Sequence, residues 1–302
     1  MTAARLSSRG LAAGRAAFLI WGLFPVYLHP LSGVPAVQII AHRITWSCLF
    51  LMIVLTARGE LGRLPATLFR PRLLAGLAAS ALLISCNWLV YVWSVTHQHI
   101  VESSLGYYIN PLVNVLLGVL VLRERPNALQ WTAIALAALA VVYLTVAAGR
   151  PPWIAFALAL SFSLYGFVRK VISIEALPGL ATETLMLLPL ALAYLIWCET
   201  TGVAAFGHTG GAITALLVGS GIFTAVPLFL FAYGARLLPY STVGVLQYIG
   251  PSLQLACGVL FYHESFGAQR AAGFALLWAA LVLYAGDGLW RAHSATRRVA
   301  RA

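Results

Sequence analysis

The sequence predicts an all-α membrane protein with ten transmembrane helices, arranged as two inverted five-helix repeats. The composition, the lengths of the apolar segments and an internal match between the two halves support this prediction. Of the 302 residues, 61% are hydrophobic and 9% are charged, and the mean hydropathy is +0.90. Because soluble domains are about half apolar and a quarter charged, the lipid bilayer is the solvent that suits this composition.

Ten apolar segments are candidates for membrane spans, each of which needs about 20 apolar residues. Only helices and closed barrels satisfy their backbone in lipid, and these segments are continuous rather than alternating, which indicates helices. Seven are uncharged: 73–95, 103–122, 128–148, 151–168, 210–235, 237–262 and 271–285. Three carry charge: 11–28 with Arg15, 34–57 with His42 and Arg43, and 177–198 with Glu183. We expect the first segment to be a retained helix rather than a signal peptide.

The basic residues are distributed asymmetrically about these segments. If the spans alternate from a cytoplasmic N-terminus, all but three of the 19 Lys and Arg residues lie on the cytoplasmic side; the three are Arg43, Arg150 and Arg270. This is the positive-inside distribution, so we expect both termini to be cytoplasmic, with a basic tail over residues 291–302. Since the net charge of +11 comes from loops and chain ends, it does not indicate a nucleic-acid partner.

An internal match relates the two halves of the chain. Residues 108–124 align with residues 248–264 without a gap at a shift of 140, with seven of 17 positions identical, including a proline, a glycine and a glutamate. Five spans is an odd number, so the second copy must cross the membrane in the opposite direction. We therefore expect a first repeat over residues 1–149 and a second over residues 150–290, with a substrate site near the midplane between them.

Charged side chains inside a bilayer are costly and are candidates for function. Arg43 lies about nine residues into its span, roughly 13 Å below the surface at about 1.5 Å per residue. We predict a role in substrate binding or coupling; the alternative is a structural arginine bound to backbone carbonyls. Glu183 is the candidate for proton coupling, and the alternative is a helix-start residue near the cytoplasmic face. Arg169 and Lys170 are interpreted as topology determinants, with ligand binding as the alternative.

A group of aromatic and amide side chains is predicted to line a substrate cavity, because such groups need polar partners in lipid. The group consists of Trp21, Asn87, Trp88, Tyr91, Tyr108, Asn110, Asn114, Tyr165, Gln247 and Tyr248. Bonding between helices is the alternative for Tyr108 and Asn110, and a position at the membrane interface is the alternative for the tryptophans. Pro111 and Pro251, which the internal match aligns, are predicted hinges because each lacks a backbone donor.

The motifs favour a transporter of small molecules over an enzyme. No GxxxxGK[ST] segment occurs, so a gradient rather than ATP bound to this chain is expected to drive transport. The four cysteines lack CxxC spacing, and no cofactor or metal is expected. An intramembrane enzyme acting on a lipid-linked substrate is the main alternative, and a channel is a third. Membrane lipids are expected partners, and the Ala-rich fifth and tenth spans allow a homodimer.

Several segments occur in order along the chain: AHRITWS at 41–47, Asn87-Trp88, ESSLGYYINPLVN at 102–114, YGFVRK at 165–170, Glu183-Thr184 and QYIGP at 247–251. Together they resemble the RarD-type permeases in the EamA branch of the drug/metabolite transporter superfamily. The resemblance covers about residues 10–290. It implies ten helices, a bacterial inner-membrane location and a permease function. It implies no particular binding residues, so the candidates above rest on the physical argument.

Overall fold

The computed structural model describes residues 7–62, 64, 71–123, 127–172, 174–238, 242–243 and 246–299. In this part of the chain the regular elements are helical and no strand occurs. Glu124 of the internal match, residues 300–302 of the predicted tail, and Arg5, Arg63, Arg70 and Arg125 of the predicted topology lie outside the described residues.

Eleven α-helices are referred to below, in chain order. They are α1 (Ser8–Gly22), α2 (Phe24–Leu28), α3 (Ala36–Ala57), α4 (Pro71–Thr96), α5 (Ile100–Leu122), α6 (Ala128–Ala148), α7 (Trp153–Ile172), α8 (Ala176–Thr200), α9 (Gly211–Leu237), α10 (Ile249–Ala256) and α11 (Ala268–Val299). A 3₁₀ turn, His29–Leu31, follows α2, and a π-helical turn, Cys257–Phe261, follows α10.

Within the described ranges, seven helices are long and apolar enough to cross a membrane, namely α3, α4, α5, α6, α8, α9 and α11. An eighth candidate is the bent pair Ser8–Gly22 and Phe24–Leu31, which contains α1 and α2. Two apolar helices are shorter: Trp153–Arg169, which lies in α7, and Ile249–Phe261, which contains α10. The span predicted over residues 11–28 corresponds to the bent pair, and the chain bends by 43° at Leu23 within it. Pro25 follows the break and has no N–H to continue the α1 hydrogen-bond pattern. The chain is therefore a helical protein that crosses the membrane several times.

Two compact units can be distinguished, and each takes helices from both predicted repeats. Unit 1 comprises Met1–Leu23, Ile100–Ala159 and Leu230–Ala302, and unit 2 comprises Phe24–His99 and Leu160–Phe229.

The core of unit 1 lies among α5, α6 and α11. Leu105, Ala140 and Phe274 are members of this core. A Cβ atom added to Gly273 of α11 would lie 2.4 Å from the Leu144 side chain of α6, so only a glycine allows the two helices to pack this closely. The small residues of α6 and α11, the Ala-rich fifth and tenth predicted spans, thus pack in part against each other.

Unit 2 is built around α3, which packs against α8 and α4, while α4 also packs against α8. A buried amide fixes the start of α3. The Gln38 Nε2 group donates to the Val203 carbonyl at 2.8 Å, and its Oε1 atom accepts from the Ala205 amide at 2.9 Å. These two bonds connect α3 to the chain that follows α8.

Candidate functional site

Arg43 forms a buried cluster in unit 2. The residue lies in α3 and is only 6% exposed. Its Nε group donates to the Thr224 hydroxyl of α9 at 2.6 Å. The guanidinium carbon lies 4.4 Å from the ring centroid of Trp88 and 4.9 Å from that of Phe24. Cation–π attraction is strongest where water is excluded, so the two rings stabilise the buried charge and orient its plane.

A close contact between α3 and α9 brings Thr224 within reach of Arg43. One helical turn before Thr224, a Cβ atom on Gly221 would lie 2.4 Å from the carbonyl carbon of Trp46. Only glycine therefore permits the two backbones to approach at this point. The Thr224 hydroxyl itself donates to the Ser220 carbonyl at 2.8 Å, which fixes the direction of its acceptor lone pairs.

Further aromatic side chains surround this cluster. Tyr27 stacks on Phe223 with ring centroids 4.2 Å apart, and its hydroxyl donates to the Leu216 carbonyl. The Phe24 ring lies 6.1 Å from that of Tyr91. His42 stacks on Phe206 at 5.0 Å, and thus forms a separate contact beside its neighbour Arg43.

Glu183 forms the second buried cluster of unit 2. Its side chain is 1% exposed and lies on α8. Ser80 of α4 donates to Glu183 Oε1 at 2.5 Å, and the Arg169 Nη1 group of α7 lies 3.4 Å from the same oxygen. The Tyr165 hydroxyl, one turn before Arg169, also bonds to this carboxylate. Three helices therefore converge on one carboxylate.

The predicted residues of unit 2 are thus divided between the two clusters. Trp88 belongs with Arg43, and Tyr165 belongs with Glu183. Asn87 is buried and donates to the Ser161 hydroxyl of α7 at 3.0 Å. This bond connects α4 to α7, so Asn87 serves here as a contact between helices.

The predicted residues of unit 1 occupy different environments. Tyr108 is buried, and its hydroxyl lies 2.7 Å from that of Ser252. Its ring also stacks on Tyr248 at 6.4 Å. The Trp21 carbonyl accepts from Gln254 at 3.2 Å. The remaining amides differ in exposure: Asn110 is buried, Gln247 is half-buried and Asn114 is exposed.

The two predicted hinges are not equivalent. Pro111 lies within the long helix α5, where it removes an internal hydrogen bond. Pro251 is the third residue of α10. The first four amides of a helix have no partner within it, so Pro251 costs this helix no hydrogen bond.

The sequence alone does not indicate the partners of the two charged residues. Ser80 and Thr224 carry no distinctive signal, since serine and threonine are common in membrane helices. Arg169 was assigned to topology, yet it pairs with Glu183. Among the described residues, no group of three or more His, Cys, Asp or Glu side chains is arranged to hold a metal ion.

Two acidic side chains bind the beginnings of helices. Glu102 Oε1 accepts from the Ile154 amide at the start of α7 at 3.0 Å. The Glu264 carboxylate accepts from the amides of Ile100 and Val101 at 2.5 and 2.9 Å. Both carboxylates complement the positive ends of helix dipoles.

Comparison with known proteins identifies the family. The EamA-like transporter family matches residues 8–146. The protein RarD of Streptomyces exfoliatus is 42% identical over 96% of this chain and 92% of its own length. The protein RarD of Escherichia coli K12 is 39% identical over 95% and 97%. The chain belongs to the RarD/EamA-type permeases. This membership, together with the apolar helices, makes it a membrane transporter that spans the bilayer several times.

Other relatives of this permease are named transporters. An uncharacterized transporter of Pseudomonas aeruginosa is 45% identical over 94% of this chain and 95% of its own length. One solved crystal structure has a TM-score of 0.59 over 91% of this chain and 96% of its own, with 19% sequence identity. At this identity the likeness shows the fold alone.

Proposed function

We propose that this permease is a secondary transporter that moves a small metabolite or drug-like solute across the cytoplasmic membrane by alternating access, driven by a proton gradient. The observation that carries the proposal is the buried Arg43 guanidinium, held between the Trp88 and Phe24 rings in a chain whose relatives are named transporters. Buried charge in a membrane helix is costly and by default indicates a functional site.

The transporter is proposed to consist of ten spans in two inverted repeats, with both termini cytoplasmic. Seven long apolar helices, one bent pair and two shorter apolar helices together supply ten candidate segments. The backbone gives further support. Arg123 and His263, which the 140-residue shift aligns, both have a φ of 55°, and positive φ is uncommon for residues other than glycine.

The two charged clusters also support the repeat. The shift aligns Arg43 of α3 with Glu183 of α8, and it aligns Ser80 of α4 with Ser220 of α9. Arg43 bonds to α9 through Thr224, whose hydroxyl donates to the Ser220 carbonyl, and Glu183 bonds to α4 through Ser80 itself. The contacts are therefore reciprocal: each α3-type helix binds the α4-type helix of the opposite repeat.

Within this scheme Arg43 and its aromatic neighbours contact the solute, and Glu183 carries the proton. A guanidinium flanked by rings suits an amphipathic or weakly charged solute, because it offers N–H donors and apolar faces together. Glu183 is suited to coupling because a carboxylate changes its charge by one when it binds a proton. An enzymatic role is not part of the proposal.

The test begins with a ligand-stabilisation screen on the purified protein in detergent. Compounds that raise the unfolding midpoint are then assayed for uptake into proteoliposomes under an imposed pH gradient. We expect saturable uptake by the wild type and loss of uptake in Arg43→Ala and Glu183→Gln. The matched controls are Arg58→Ala and Glu199→Gln, because both side chains are about half exposed and both variants are expected to transport normally.

Two outcomes would contradict the proposal. Wild-type uptake by both Arg43→Ala and Glu183→Gln, at normal expression, would remove these residues from the mechanism. Chemical turnover of a compound by the protein in detergent, without any compartment, would support the enzyme alternative instead.

A further inference from the structure

Arg169 lies directly on the backbone of α8 at Gly179. A Cβ atom added to Gly179 would lie 1.8 Å from Arg169 Nη1 and 2.5 Å from its Cζ atom. No side chain therefore fits between the guanidinium and the helix. Gly179 is the fourth residue of α8 and is buried, so it forms a notch that only glycine leaves open for the guanidinium.

From this notch the guanidinium reaches two acceptors. Its Nη2 group donates to the Glu175 carbonyl just before α8 at 3.2 Å, and its Nη1 group lies 3.4 Å from Glu183 Oε1. The Arg169 side chain is 14% exposed, whereas that of Glu183 is 1% exposed. The ion pair therefore extends from the protein surface to a fully buried carboxylate.

Among the described side chains, the other groups that bond to Glu183 are hydroxyls and carry no charge that replaces the guanidinium. Ser80 of α4 and Tyr165 of α7 each bond to the carboxylate. On α8 itself, Thr184 bonds to Cys48 of α3. Hydroxyl groups stabilise a carboxylate less than a guanidinium does, so displacement of Arg169 changes the balance between its charged and protonated forms.

We propose, building on the proton-coupled transport above, that Arg169 is a positioning residue that controls proton binding at Glu183, and that Gly179 is the notch that admits it. While Arg169 is seated on Gly179, Glu183 stays ionised and the pair is neutral. When Arg169 leaves the notch, the Glu183 carboxylate takes one proton from water and becomes a neutral acid. The net charge of Arg169 and Glu183 together then rises from zero to +1. When Arg169 returns, the proton is released to water.

The physical reason is the cost of an unpaired buried charge. Removing one partner of a buried ion pair leaves the other without compensation. A carboxylate avoids this cost by binding a proton. Movement of one side chain is thereby converted into uptake or release of one proton.

The test needs no transported solute. Infrared spectroscopy of the purified protein follows the carbonyl band of protonated carboxylic acids as pH is varied, and the Glu183 contribution is the part absent from Glu183→Gln. In Gly179→Ala we expect the Glu183 midpoint to move to higher pH by about 1–3 units, as expected for the loss of an adjacent opposite charge. The added methyl group meets the flexible end of Arg169 first, so the side chain can move while the helices stay in place.

Two further variants make the result decisive. Gly166→Ala is the matched control on α7, because a Cβ atom there meets nothing within 4 Å, and its midpoint should equal that of the wild type. Arg169→Gln adds no volume at the notch and should shift the midpoint as Gly179→Ala does, which decides the matter if Gly179→Ala fails to fold.

An unchanged Glu183 midpoint in Arg169→Gln, or in folded Gly179→Ala, would overturn this inference. Because the wild-type uptake assay is independent of this titration, uptake driven by a pH gradient together with an unchanged midpoint would refute only the role of Arg169. Absence of gradient-driven uptake would refute the proposed function instead.

Discussion

Gly221→Ala tests the packing that holds the Arg43 cluster together. The new Cβ atom would lie 2.4 Å from the Trp46 carbonyl carbon and 2.6 Å from its oxygen, whereas ordinary contacts begin at 3.4 Å. Because these are backbone atoms, α3 and α9 must separate by about 1 Å, and overpacking of this kind costs about 1–3 kcal/mol. The separation also stretches the 2.6 Å bond from Arg43 to Thr224, and bonds to charged groups contribute about 1.5–3 kcal/mol.

The better helix propensity of alanine offsets only about 0.5–1 kcal/mol of this loss. We therefore expect a net destabilisation of about 2–4 kcal/mol. An effect of this size is typical of overpacking combined with the loss of a buried hydrogen bond. The assay is thermal unfolding of the purified protein in detergent, compared at one heating rate since unfolding of such proteins is often irreversible.

Gly219→Ala is the control on the same helix. A Cβ atom there meets only the Tyr27 hydroxyl, at 3.4 Å, so its unfolding midpoint should match or exceed that of the wild type. Equal midpoints for Gly221→Ala and Gly219→Ala would refute the close contact between α3 and α9.

Three further predictions concern stability. Burial raises the pKa of the Glu264 carboxyl, although two amide donors oppose the shift. The folded protein therefore binds this proton more tightly than the unfolded chain does, so the stability that Glu264 contributes is complete below its ordinary pKa of 4.5 and declines at higher pH. The stability of the wild type relative to Glu264→Gln should accordingly fall from acid to neutral pH, and parallel profiles would contradict this. Tyr108→Phe should cost about 0.5–1.5 kcal/mol through its bond to Ser252, and a wild-type midpoint would exclude that bond. Gln38→Leu should cost about 1–3 kcal/mol because the part-buried Val203 carbonyl bond and the buried Ala205 amide bond are both lost, and a neutral effect would contradict this.

The helical, multi-span character of the protein was predictable because hydrophobicity alone selects it. Membrane helices need long apolar segments, and those segments are read directly from composition. Breaks within the helices were harder to predict from the sequence. The bend at Leu23 and the π-helical turn at Cys257–Phe261 depend on a few backbone bonds within uniformly apolar sequence, and hydropathy does not report them.

The candidate site was predictable in its charges but not in its pairings. Arg43 and Glu183 stand out because charge is rare within apolar segments. Their partners depend on which helices adjoin, and the pairing of Arg169 with Glu183 also needs the notch at Gly179. In sequence, Pro178-Gly179 indicates only the start of a helix. Asn114 illustrates the opposite case, since its amide suggested an inward-facing position but its side chain is exposed.

The central claim is that this permease couples solute movement to protons through Arg43 and Glu183. The most direct measurement records solute uptake and internal pH together, in proteoliposomes containing the wild type, Arg43→Ala or Glu183→Gln, with a solute found by the stabilisation screen. We expect saturable uptake with an accompanying proton flux in the wild type, and neither flux in the two variants. Solute uptake without any proton movement, or uptake that persists in both variants, would contradict it.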